Sequence, residues 1–212
     1  MLWILLAIAI SYLIGSIPTA YIFGRCLKGI DIRTFGSGNV GATNASRLLG
    51  KKTGIIVLIL DILKGLVTVI LLGDLALTKS PHLLDPALLR IIIGLGCIAG
   101  HNWTIFLNFK GGKGVATTLG VLLGSAWVIP GISLVLVLVI LTWIVSFLAT
   151  RIISLASLLA AISFPAYMVL KHRSPTLILS SFILSIFIIV RHIPNIKRIL
   201  QKKEPRMSFK KQ

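Results

Sequence analysis

The sequence predicts an all-α polytopic membrane protein with about seven transmembrane helices, its N-terminus outside and its C-terminus cytoplasmic. Three observations carry that prediction. The 212 residues are 56% hydrophobic and only 13% charged, well outside the composition of a soluble globular domain. The apolar residues fall in runs near the ~20 residues that a spanning helix needs. The cations cluster in the short segments between those runs, mostly on alternate sides.

The first run, Leu2–Phe23, has no charge from Met1 to Gly24, so it lacks the positive n-region of a signal peptide. Arg25 and Lys28 follow it, as expected of an uncleaved span whose C-terminal end stays inside. The second, Thr53–Gly73, holds Asp61 and Lys64 at i, i+3. Each lone charge costs on the order of 2.5–3.5 kcal/mol at a helix centre, so the two should pair and face the bundle as a structural ion pair. The third, Pro86–Leu107, carries a Gly96–Gly100 packing pair and ends near His101, a structural or supporting residue. The fourth, Gly114–Ile129, is short, contains Gly120 and Gly124, and is closed by the Pro130-Gly131 turn. Gly131–Thr150, Ser154–Leu170 and Thr176–Val190 complete the set. Ser154, after Arg151, reads as a helix N-cap, and Pro194 interrupts the helix beyond the seventh span.

With the N-terminus outside, the inside segments carry 17 of the 22 Lys and Arg, and the outside segments only Lys79, Lys171 and Arg173. The formal charge of +17 is therefore mostly a topology signal. It does not form the basic face of a folded polar surface, which argues against nucleic acid. Cys26 and Cys97 have no metal or redox spacing and read as small apolar fillers. The five acidic residues provide no pair suited to Mg²⁺ or Zn²⁺, so neither metal nor cofactor is expected.

Four polar clusters fall on the cytoplasmic side: GSGN from Gly36, KGGKG from Lys110, RIIS from Arg151 and RHIPN from Arg191. They suggest one convergent site. KGGKG opens the fourth span, where unpaired helix N–H groups favour an anion and Lys113 adds a full charge. The spacing is not that of a nucleotide-binding P-loop. The stretch from Asp31 to Gly50 is too polar to span and too long for an idle connection. Within it Gly41–Leu49 can form a short helix closed by Gly50, with Thr43, Asn44 and Arg47 on one face. The donors of the site are thus Gly36, Ser37, Gly38, Asn39, Thr43, Asn44, Arg47, Gly111, Gly112, Lys113 and Gly114, with Ser154, His192 and Asn195 from the other two clusters. The residues from Lys197 onward read as a basic tail on anionic lipid, closing a single integral-membrane domain over residues 1–212.

Taken in order, GSGNVGATNASRLLG, FKGGKGVAT, SLAS and RHIPNIKRIL resemble the bacterial acyl-phosphate:glycerol-3-phosphate acyltransferases of the inner membrane. The resemblance covers nearly the whole chain, with one departure: Ile193-Pro194 stands where the family carries more polar residues. It implies transfer of a fatty acyl group from acyl phosphate to the 1-hydroxyl of glycerol 3-phosphate, giving lysophosphatidic acid and phosphate. It also implies that Ser37, Gly111 to Gly114, Lys113 and Ser154 hold phosphate oxygens, and that Asn39 and Arg47 orient glycerol 3-phosphate. Asn195 would position His192, which is either the base or a donor, since a substrate phosphate oxygen can also take the proton. Two alternatives stand beside this one. A transporter or flippase for a phosphorylated metabolite needs midplane ligands and repeated halves, which the sequence lacks. A thioester donor such as acyl-CoA usually goes with an HxxxxD pattern, and His101 is followed at that spacing by Phe106.

Overall fold

The structure, a computed structural model, describes residues 1–207; the final five residues of the expected basic tail lie outside the described residues. Among the described residues all regular structure is helical. The chain divides into two compact units, Met1–Pro130 and the part from Gly131 onward.

The first unit contains α1 (Leu2–Ser16), α2 (Thr19–Lys28), α3 (Ala42–Leu49), α4 (Lys51–Val67), α5 (Gly73–Lys79), α6 (Pro86–Asn102) and α7 (Val115–Val128). The first expected span is broken, because Pro18 has no N–H with which to continue the ladder. The carbonyls released there find new donors: Thr104 Oγ1 to Ser16 O at 2.6 Å and Lys64 Nζ to Ile17 O at 3.3 Å. A π-helical turn at Thr68–Leu72 joins α4 to α5, and Arg90 donates to the Val69 carbonyl in that turn at 2.9 Å while pairing with Asp74. Glycines set the helix contacts, as their spacing predicts. A Cβ on Gly100 would overlap the Tyr12 carbonyl of α1, and one on Gly120 the Ile62 carbonyl of α4.

The second unit contains α8 (Ile132–Thr150), α9 (Ile153–Leu170), α10 (Pro175–Arg191) and α11 (Ile193–Leu200). Pro165 lies inside α9 and cannot donate to the carbonyl of Ala161; Ser185 of α10 supplies the missing donor at 2.6 Å. The Trp143 indole of α8 donates to Ser157 of α9 at 3.2 Å.

Among the described residues five segments are long and apolar enough to cross a bilayer: Leu2–Lys28, Lys51–Lys79, Pro86–Leu107, Ile132–Thr150 and Ile153–Leu170. Pro175–Arg191 with Ile193–Leu200 makes a sixth if the pair, bent by 62°, is one span. The fourth of the seven expected spans is the short one. The 14 residues of α7 rise about 21 Å, against a hydrocarbon core of about 30 Å.

Candidate functional site

The site residues of the first unit lie on two loops and on the short helix α3. Residues 29–41 run from α2 to α3, and a single buried side chain shapes them. Asn44, fully buried in α3, donates its amide to the carbonyls of Ile32 (3.1 Å) and Phe35 (3.2 Å) and accepts the Ser37 N–H (3.0 Å). A Cβ on Gly36, where φ is +60°, would strike the Asn44 amide oxygen, so the turn requires glycine there. Asn44 therefore builds the loop instead of presenting donors with Thr43 and Arg47, which corrects the face predicted for it. Thr43 is half-buried, and Arg47 is exposed with no hydrogen bond or ion pair among the described residues. Ser37 is exposed, Asn39 half-buried, and the Asn39 N–H reaches Ser37 Oγ at 3.4 Å, with Gly38 between them at φ +67°.

At the base of this loop Asp31 accepts Arg33 at 2.7 Å and lies 3.8 Å from Arg25, with both guanidiniums over the Tyr21 ring. The Arg33 hydrogen bond holds the Asp31 carboxyl down to about 2. The only acid of the loop is thus occupied by Arg33 and Arg25.

The second loop, residues 108–114, leads from α6 into α7. Its glycines do something other than expected. The Gly111 N–H donates to Asn102 O (3.2 Å) and the Gly112 N–H to His101 O (2.9 Å), so neither amide is spare for a phosphate. Both glycines serve close approach: a Cβ on Gly112 would overlap the His101 ring and lie 2.8 Å from the Val40 carbonyl of the first loop. Gly114, at φ +76°, is the N-cap of α7 and provides no side-chain cap, so the first-turn N–H groups of that helix carry the donor character. Lys113, half-buried, stands immediately before them.

Beneath this loop lies a buried cluster of charge. Asp61 and Lys64, 2% and 9% exposed, pair at 2.8 Å, the ion pair that their spacing predicts. Lys64 Nζ also reaches His101 Nδ1 at 2.9 Å, and Thr19 donates to Asp61 at 3.0 Å. Beside it the fully buried Asn102 has neither amide atom partnered, and the Thr117 and Thr118 hydroxyls of α7 are likewise unpartnered among the described residues. Sequence reasoning missed all three; their only signal is polarity within apolar runs. An open apolar groove of about 340 Å³ is lined by Ile17, Pro18, Tyr21, Ile22, Phe106 and Leu107.

In the second unit the structure gathers two of the predicted residues, Ser154 and Asn195, around a carboxylate that sequence reasoning left without a role. Glu204 accepts Ser154 Oγ (2.7 Å) and Asn195 Nδ2 (2.6 Å) on one oxygen and Arg198 Nε (2.6 Å) on the other. Burial pushes the Glu204 carboxyl up, but the hydrogen bonds from Ser154, Arg198 and Asn195 outweigh it and hold it below the ordinary value. Ser154 is not the N-cap of α9; Ile152 is, and the serine hydroxyl is directed to Glu204. Asn195 does not steer the imidazole either: its amide donates to Glu204, and its buried Oδ1 has no partner among the described residues. His192, 2% exposed at the α10–α11 bend, meets the Ile188 carbonyl through Nδ1 at 2.8 Å. A carbonyl can only accept, so Nδ1 carries a proton.

A family model described as glycerol-3-phosphate acyltransferase matches residues 5–202. Curated relatives agree over nearly full length. A glycerol-3-phosphate acyltransferase of Prochlorococcus marinus (strain MIT 9211) is 40% identical, covering 95% of this chain and 93% of its own. Glycerol-3-phosphate acyltransferase 2 of Moorella thermoacetica is 44% identical, covering 96% and 97%. Among solved structures, the glycerol 3-phosphate form of PlsY (YgiH), an integral membrane glycerol 3-phosphate acyltransferase, superposes with a TM-score of 0.83 at 36% identity, covering 97% of this chain and 96% of that one. The lysophosphatidic acid form of PlsY gives a TM-score of 0.80.

Proposed function

The chain belongs to the glycerol-3-phosphate acyltransferase family of multi-pass membrane proteins, and from that premise we propose that it acylates the 1-hydroxyl of glycerol 3-phosphate with a fatty acyl phosphate as donor. The products are lysophosphatidic acid and inorganic phosphate. The reading includes seven spans with the N-terminus outside, and the reaction runs at the cytoplasmic face of the bacterial inner membrane.

The observation that carries it is Lys113 standing at the uncapped start of α7, on a loop whose Gly112 is pressed against the His101 ring and the Val40 carbonyl. Two loops held against each other, with Ser37 exposed on one, Arg47 exposed on the α3 helix that follows it and Lys113 on the other, suit a dianionic group. The nearby apolar groove offers room for an acyl chain. A phosphate loop belongs in a membrane when its substrate is half lipid.

The chemistry needs little more than orientation and charge. The glycerol oxygen forms a bond to the acyl carbon, the bond from that carbon to the phosphate oxygen breaks, and phosphate leaves with the electron pair. The hydroxyl proton goes to His192 or to a substrate phosphate oxygen. Lys113 neutralises charge on the donor phosphate and Ser37 donates a hydrogen bond to it, while Asn39, Thr43 and Arg47 hold glycerol 3-phosphate. Gly36, Gly38 and Asn44 shape the first loop, and Asn195 acts beside Ser154 on Glu204. Phosphate is a competent leaving group, so no acyl-enzyme and no metal is invoked.

The test is incubation of the purified full chain in lipid with labelled glycerol 3-phosphate and either long-chain acyl phosphate or acyl-CoA. Labelled lysophosphatidic acid and released phosphate from acyl phosphate alone is the expected result. Product from acyl-CoA alone overturns the donor, and no product from either overturns the acyltransfer reading.

A further inference from the structure

The buried charges of the first unit form a continuous chain of contacts toward both loops. It starts at the break in the first span, where Thr19 donates to Asp61 and Ile17 O accepts from Lys64. It crosses α4 through the Asp61–Lys64 pair, then passes to α6 through Lys64 Nζ and His101 Nδ1 at 2.9 Å. An ammonium can only donate, so His101 Nδ1 accepts and the neutral ring carries its proton on Nε2. That nitrogen lies against Gly112, with the Val40 carbonyl on the same face of the glycine. The His101 carbonyl meanwhile accepts the Gly112 N–H. One residue thus holds the second loop by backbone and by ring, and Lys64 fixes which way that ring faces.

We propose that His101 is a positioning residue: tethered through Nδ1 by the Asp61–Lys64 pair, its ring sets the register between the 36–41 and 110–114 loops and so aims Lys113. A plain structural ion pair would need only Asp61 and Lys64 to satisfy each other. Here the lysine spends further donors on a ring nitrogen and on a carbonyl freed by a helix break, which joins three spans to the loop pair. The proposal rests on the reading that these two loops bind the substrate phosphates.

The experiment is an electron paramagnetic resonance distance measurement between spin labels at Thr34→Cys and Lys110→Cys, both exposed positions, in full chain carrying Cys26→Ser and the buried Cys97. It is combined with steady-state kinetics of the unlabelled variants. Asp61→Leu/Lys64→Met removes both buried charges together, since removing one alone leaves the other uncompensated. The expected result is a broadened distance distribution and a loss of kcat/KM on the order of 10²-fold, mostly in kcat, because a 1 Å misplacement costs about that much. Should the double variant not fold, His101→Leu keeps the ion pair and removes the tethered ring itself, with the same broadening expected. A distribution as narrow as that of the parent, in either variant, overturns the proposal whatever the activity. Broadening with activity within about threefold of the parent upholds the tether but sinks the assignment of these loops to substrate, at the scale set by that same misplacement argument.

Discussion

The two units organise their polar residues by opposite means. In the first, the loops are held by close packing and one side-chain amide: Asn44 folds one loop around itself, Gly112 is pressed onto His101, and the buried charges beneath are balanced inside the protein. In the second, three donors from α9 and α11 are gathered by one carboxylate, Glu204. The first arrangement depends on shape and fails when atoms are added. The second depends on a single charge and fails when that charge is removed. The two should therefore respond differently to mutation and to acid.

Lys113→Ala should have the largest effect, lowering kcat/KM by on the order of 10³-fold or more while the protein still inserts and melts normally, because it removes a full charge at the developing phosphate. Near-normal turnover would detach the first unit from the chemistry altogether. Glu204→Ala comes next: Ser154, Asn195 and Arg198 lose their common acceptor, and turnover should fall on the order of 10²-fold by misplacement, with Glu204→Gln recovering part of it. Equal losses in the two variants would show that the charge is not what organises that unit. Asn44→Ala should cost roughly 1–3 kcal/mol of stability, measured by thermal unfolding, since it strands the Ser37 N–H and two carbonyls.

Acid supplies the smallest and most discriminating test. The Glu204 carboxyl is held below its ordinary value of 4.5, so its contribution is complete above that pH and is lost as pH falls through the lower folded value. Asp31 follows the same sign, complete above 3.8 and lost toward about 2, and being a surface pair it contributes less than about 1 kcal/mol. Melting curves on descending pH should thus show an acid-sensitive step that Glu204→Gln abolishes and Asp31→Asn does not. A step unaffected by Glu204→Gln would remove the carboxylate from its place in the comparison.

Periodicity and spacing revealed the helical class, the Asp61–Lys64 pair, the short helix at Ala42–Leu49, the glycine contacts and the break at Pro194. These depend on residues within a turn or two of one another. The use of the Gly111 and Gly112 amides was hidden, because only the tertiary approach of the α6 end decides whether such an N–H meets a carbonyl or a ligand. The inward turn of Asn44 was hidden likewise, since a short helix can show either face to its loop. Glu204 was the hardest to read, separated from Ser154 by 50 residues and drawn to it by one hydrogen bond. The break at Ile17-Pro18 was legible in principle, from the proline alone.

That separation has a consequence in time. A ribosome adds about 5–20 residues each second, so Ser154 precedes the side chain that aligns it by roughly 2.5–10 s of synthesis, given their 50-residue spacing. The loops of the first unit have every contact described for them once Val115 is made. Assembly order is therefore written into chain order. The nascent protein holds the contacts of its first-unit loops while Ser154 and Asn195 still await their shared anchor, and the last alignment to form is the one that depends on a single carboxylate.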